Sequence, residues 1–152
     1  SPPRDRTVHT IHIAVTPAEI ADCFPVIAQL RPHLQREEFI TRVRQQMADG
    51  YRLAYLNAGG SVQSVAGYRI TENLAWGRFL YVDDLVTDEA ARSQGYGKAL
   101  LAWLAEQARQ NGCAQLHLDS GMQRKDAHRF YLREGMDNAG FHFSTRLDHA
   151  EH

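Results

Sequence analysis

The run Arg92, Ser93, Gln94, Gly95, Tyr96, Gly97, Lys98 stands just before an apolar stripe, Leu100, Leu101, Leu104, Ala105 and Ala108, spaced for one face of a helix. A helix opens with about four backbone N–H groups that lack an intrahelical partner, and its dipole places partial positive charge there. Glycine lets a ligand approach those amides, because no Cβ intervenes. With Arg92 and Lys98 at the rim, the segment reads as a cradle for a pyrophosphate. A packing role for Gly97 stands beside that reading, since it is in register with the stripe and would let the helix close on a sheet. Two other phosphate-binding patterns fit worse. GxGxxG needs a third glycine where the chain has Leu100, and the P-loop needs a hydroxyl where Ala99 follows Lys98.

The elements that must position this turn are readable from periodicity and caps. Residues 7–15 alternate as a first strand, and Thr16 to Glu19 has the form of a capping box with Pro17 at the first helical position. Ile20, Phe24 and Ile27 continue as a helix, bent or ended early by Pro25 or Pro32. A second helix covers about Arg36 to Asp49, with Phe39, Ile40, Val43 and Met47 inward and Gly50 as its stop. Three strands follow, the first two joined by a hairpin turn at Gly59-Gly60. After the glycine turn and its helix, which Gly112 ends, come a strand over 113–120, a short helix over 125–135 and a last strand over 140–147. The order β, α, α, β, β, β, α, β, α, β predicts a mixed α/β fold, with residues 1–152 as a single domain and 1–6 as a trimmed or disordered N-terminus.

Composition narrows the function. The 152 residues suit one domain with its own core, and 43% hydrophobic with 23% charged residues is ordinary for a soluble globular protein. Seventeen basic against 18 acidic side chains give a net charge of −1, so no general affinity for nucleic acid is implied and any anion site must be local. No apolar run reaches the roughly 18 residues of a membrane span, and no signal core opens the chain, so a cytoplasmic location is expected. Cys23 and Cys113 lie in unrelated segments and read as buried reduced thiols. His9 and His12 point to opposite faces of one strand, a poor metal pair, and no metal site is expected. His117 and His142 read as core or edge residues, and His128 borders Tyr131.

Arg92, Gly95 and Gly97 match [RQ]-x-x-G-x-[GA], and the segment resembles the acyl-CoA signature of the GNAT superfamily of N-acetyltransferases. A second segment, with Ala127, Phe130, Tyr131, Gly135 and Met136, resembles that superfamily's later A-x-x-F-Y-x-x-x-G-[FM] motif. The resemblance spans nearly the whole chain and is clearest from Phe79 to Phe143. It implies a central, mostly antiparallel sheet flanked by helices, and acetyl-CoA as co-substrate. It further implies residues 92–98 as the diphosphate site and Leu85, Val86 and Thr87 as a bulged stretch that pairs with the pantetheine arm. Many members carry Asn where this chain has Arg124, which either reaches a phosphate or sits solvated.

The implied reaction poses three problems. A lysine-like amine with a pKa of about 10.4 is neutral in only about one molecule in 2,500 at pH 7, a penalty of about 4.6 kcal/mol. Asp83 or Asp84, on the strand expected to line the acceptor side and on opposite faces by alternation, would relieve it through water or attract the ammonium group. Backbone N–H groups at the bulge would stabilise the oxyanion. Tyr131 is the family's candidate acid for the leaving thiolate. No Ser/His/Asp spacing supports a covalent acyl-enzyme, so direct transfer in a ternary complex to a small-molecule or peptide amine is expected. The alternative is a non-catalytic acyl-CoA-sensing module of the same fold. Arg31, His33, Glu37 and Glu38 are acceptor-site candidates, Tyr68 a residue that would border that pocket, and a homodimer an assembly the sequence allows.

Overall fold

The structure is a computed structural model and describes residues 8–120 and 124–148, so the expected N-terminal extension over 1–6 lies outside the described residues. The chain divides into two compact units, one ending at Leu118 and the other beginning at Asp119. The first unit contains β1 (His9–Ile13), α1 (Pro17–Leu30), α2 (Arg36–Met47), β2 (Arg52–Ala58), β3 (Ser61–Asn73), β4 (Gly77–Thr87), α3 (Tyr96–Gln110) and β5 (Gln115–Leu118). Its five-stranded sheet runs in sequence order, antiparallel from β1 to β4, with β5 parallel to β4.

Local sequence accounts for most of these elements. At the start of α1 the Thr16 hydroxyl accepts from the Glu19 amide at 3.1 Å, and a Glu19 carboxylate oxygen accepts from the Thr16 amide at 3.2 Å. That is the reciprocal capping box. Pro25 neither ends α1 nor shortens it, and the helix runs on to Leu30. The two residues after the proline, Val26 and Ile27, are both buried. Their burial, at about 1.5–3 kcal/mol each, offsets the cost of about 3 kcal/mol for an interior proline. Gly59 and Gly60, at φ 61° and 83°, form the tight turn between β2 and β3.

The sheet is covered on both sides. Ile20, Cys23 and Ile27 of α1 and Phe39 and Val43 of α2 share a buried cluster with Leu53 and Val65. On the other face α3 buries Leu100 and Leu104, and its Trp103 meets Tyr68 edge-on at 6.0 Å. The two β1 histidines part as alternation requires, His9 toward Tyr96 and His12 toward Tyr55. Tyr68, expected beside the acceptor pocket, faces α3 instead.

The second unit holds α4 (Lys125–Arg133). The strand expected over 140–147 does not form: residues 136–148 carry no helix or strand, and Phe141 and Phe143 are 83% and 90% exposed. Alternation supplies only a face, and a strand also needs a partner for its backbone groups. Among the described residues no helix is long and apolar enough to cross a membrane, and no group of His, Cys, Asp and Glu could hold a metal ion.

The anchoring of α1 has a pH signature. The Tyr55 hydroxyl donates to Glu19 at 2.7 Å and, with the Thr16 and Val15 amides, lowers the Glu19 carboxyl from 4.5 to about 2. A depressed folded-state pKa stabilises above the unfolded value and loses that stabilisation as pH falls through the folded one. Urea unfolding followed from pH 4.5 down to 2 should therefore show a shallower acid limb for Glu19→Gln than for the parent; parallel limbs would contradict this linkage.

Candidate active site

The sheet register decides how the two aspartates point. Gly67 of β3 pairs with Asp84 and the next residue, Tyr68, with Val82, so Asp83 is an extra residue in β4. Such a bulge resets the alternation of side chains. Asp83 and Asp84 consequently line one cleft on the side of α1 and α2, instead of the opposite faces that alternation predicts. The bulge sits at Asp83 itself, earlier than the expected Leu85 to Thr87. Those three residues stay in the ladder opposite Ala66, Val65 and Ser64.

Each carboxylate has its own partners. Arg31, the residue that ends α1, places Nε 3.0 Å and Nη2 2.9 Å from Asp84 Oδ1. The Tyr51 hydroxyl donates to Asp84 Oδ2 at 3.0 Å. Arg69 Nε donates to Asp83 Oδ2 at 2.9 Å, and its Nη2 donates to Gln46 of α2 at 2.8 Å. The Arg69 guanidinium also lies over the Tyr51 ring, 5.2 Å from its centre. Arg31 Nη2 further donates to the Asp83 main-chain carbonyl at 3.3 Å.

These surroundings shift two of the cleft's titratable groups, Asp83 and Tyr51. Burial pushes the Asp83 carboxyl above the usual carboxylate range, against the opposing hydrogen bond and charge of Arg69. Burial, reinforced by the negative charge of Asp84, pushes the Tyr51 hydroxyl well up, so it remains a donor at neutral pH. A cleft of about 650 Å³ opens over these groups, with Ile27, Leu34 and Phe39 as apolar lining and Arg31, His33, Arg42 and Gln46 as polar lining. Its size suits a small molecule. Glu37, a further acceptor-site candidate, is exposed and paired with Arg36, and neither it nor Glu38 lines the cleft.

The glycine turn lies in the same unit. Ser93 has φ 75° and Gly95 φ 81°, and Gly95 is the N-cap of α3 without any side-chain capping bond. Nothing lies within 4 Å of a Cβ built on Gly95, so its dihedral, not crowding, calls for glycine. Among the described residues no side chain caps the first amides of α3, and Arg92 and Lys98 are exposed beside them. The pairing of β4 with β5 stops at Val82 opposite Leu118, and β4 runs on past it to Thr87. Gln29 of α1 fixes the exit from β4, donating to Asp88 at 3.3 Å and accepting from the Glu89 amide at 2.9 Å.

Tyr131 and Arg124 belong to the second unit. Tyr131 is half-buried on α4 with its ring edge-on to Phe130. Burial raises its hydroxyl pKa against the lowering charge of Arg124, so the phenol keeps its proton at neutral pH. Arg124 is the N-cap of α4, and its side chain makes no capping bond there.

With this geometry in place, kinship can be read. The family model "Acetyltransferase (GNAT) family" matches residues 13–136. The chain belongs to the GNAT family. It is 35% identical over 130 residues to the uncharacterized N-acetyltransferase YhdJ of Bacillus subtilis, covering 85% of this chain and 89% of that one. It is also 38% identical over 98 residues to an aminoalkylphosphonate N-acetyltransferase of Salmonella typhimurium, covering 64% of this chain and 62% of that one. The aminoglycoside N-acetyltransferase AAC(6')-Iy, solved in complex with CoA, superposes with a TM-score of 0.84 at 15% identity over 95% of this chain and 97% of that one. This GNAT chain is accordingly an acyltransferase with the expected mixed α/β fold.

Tyr51, Arg69, Gln46 and Arg42 are the cleft residues that sequence reasoning missed. One signal pointed to the first: a glycine inside a strand marks a close approach. A Cβ on Gly67 would lie 1.8 Å from the Tyr51 hydroxyl and 2.5 Å from its ring carbon Cζ. Gly67→Ala should therefore destabilise the fold by about 1–3 kcal/mol, as overpacking does, measured by urea unfolding. A change below about 0.5 kcal/mol would mean that Tyr51 moves aside freely.

Proposed function

We propose that this protein transfers the acetyl group of acetyl-CoA to a primary amine of a small molecule, by direct attack in a ternary complex. One observation carries the reading: α3 begins on a left-handed glycine with no side-chain cap among the described residues, which leaves its first amides to an anion. Residues 92–98 hold the diphosphate of the co-substrate, amides within and Arg92 and Lys98 at the rim. Arg124 adds a third cation. The backbone of Leu85, Val86 and Thr87, beyond the end of β5, pairs with the pantetheine arm and supplies an N–H to the developing oxyanion.

The amine enters the cleft over Asp83 and Asp84. Asp84, already fixed by Arg31 and Tyr51, orients the incoming group. Asp83, whose carboxyl is raised by burial, takes the ammonium proton directly or through one water. The amine nitrogen then bonds to the thioester carbon, and the carbon–sulfur bond breaks as the oxyanion collapses. Tyr131 gives its proton to the leaving thiolate and regains one, through solvent, from the nitrogen as the amide forms. The kinship with an enzyme named for aminoalkylphosphonates supports a small acceptor.

Tyr131→Phe should cut kcat at least about tenfold, equivalent to about 1.4 kcal/mol, while the calorimetric affinity for acetyl-CoA stays within about twofold. Near-normal turnover would remove Tyr131 from the mechanism. Acetyl-CoA, and neither NAD nor ATP, should raise the melting temperature of the parent protein; a shift with NAD or ATP alone would sink the assignment of the glycine turn.

A further inference from the structure

The charges that line the cleft do not cancel. Three arginines, Arg31, Arg42 and Arg69, face two aspartates. Arg31 is committed to Asp84, and Arg69 to Asp83. Arg42 makes no hydrogen bond or ion pair among the described residues. Its helix is held in place from beneath, because Phe39 and Val43 of α2 are both buried. The leftover charge of the cleft is thus a guanidinium on a fixed helix, and His33, on the connection between α1 and α2, lines the same space.

We infer that the acceptor carries an acid group as well as an amine, and that Arg42 is the residue that binds the acid. This rests on the acetyl-transfer reading above and names the substrate class for that cleft. An acceptor bearing only an ammonium group would meet two carboxylates already neutralised by arginines and a third, unanswered cation. One with an anionic end answers that cation and leaves its amine for the aspartates. A guanidinium offers parallel N–H donors to a carboxylate or phosphonate, and His33 adds a ring nitrogen to the same end.

Three amines of matched length separate the possibilities: aminoethylphosphonate, β-alanine and propylamine, followed by thiol release from acetyl-CoA. At least one of the two acidic amines should exceed propylamine in kcat/KM by about tenfold or more. Arg42→Ala should reduce that preference at least about fivefold, mainly through KM, and Arg42→Lys should recover part of it by keeping the charge. The better of the two acids identifies the anionic group. Propylamine serving as well as both acids would overturn the inference, as would a preference that Arg42→Ala leaves unchanged. If no amine is acetylated although acetyl-CoA raises the melting temperature, the transfer reading fails by itself. Ethylphosphonate binding by calorimetry then decides the anion site: heat lost in Arg42→Ala retains it, and no heat with the parent protein removes it.

Discussion

One surplus residue in β4 governs the cleft. Because Asp83 has no counterpart in β3, two consecutive aspartates leave the same face of a strand that would otherwise send them apart. Adjacent carboxylates in a partly enclosed space repel each other, and a bulge disrupts the main-chain ladder around it. A buried carbonyl left unpaired there would cost about 1–3 kcal/mol. Arg31 answers both demands with one guanidinium, on Asp84 through its carboxylate and on Asp83 through its carbonyl. Arg69 takes the remaining carboxylate and is itself stiffened by Gln46 and the Tyr51 ring.

The same partners make the two aspartates unequal. Asp84 accepts from a guanidinium and a phenol. Among the described residues Asp83 accepts from one side chain, and burial raises its carboxyl despite that partner. Tyr51 participates only because Gly67 lacks a side chain. Its hydroxyl passes over β3 where any Cβ would stand.

What sequence reveals here is what short segments determine for themselves. The capping box at Thr16, the double-glycine turn at Gly59 and the apolar stripe of α3 all act within a few residues, and each appears where its pattern places it. The turn from Arg92 to Lys98 is local too, and its left-handed Gly95 and the start of α3 fall where the spacing places them. The bulge is not, because it depends on how many residues β3 and β4 bring to a common ladder. Nor is the Tyr51–Asp84 bond, which joins positions 33 apart in sequence. Over 140–147 the alternation is real, but a strand requires a partner that its own residues cannot supply, and Phe141 and Phe143 remain exposed. Pro25 errs in the other direction: a local penalty is overridden by the burial of Val26 and Ile27.

The end of α1 ties the two halves of the first unit's site together. Gln29 holds Asp88 and the Glu89 amide, where β4 leaves the sheet toward the glycine turn, while Arg31 holds both aspartates. A non-glycine residue at positive φ, as Ser93 is, stores on the order of 1–3 kcal/mol and persists only when its surroundings dictate it. The bonds from Gln29 provide part of that constraint at the loop's entrance, and the packed stripe of α3 provides it at the exit. The first amides of α3, where we propose the diphosphate binds, and the carboxylates are therefore referred to one element, α1, whose own start is locked by Thr16, Glu19 and Tyr55. Two reactants bound at separate places meet in a fixed geometry only if the places share a frame, and in this unit the shared frame is a single helix fastened at both ends.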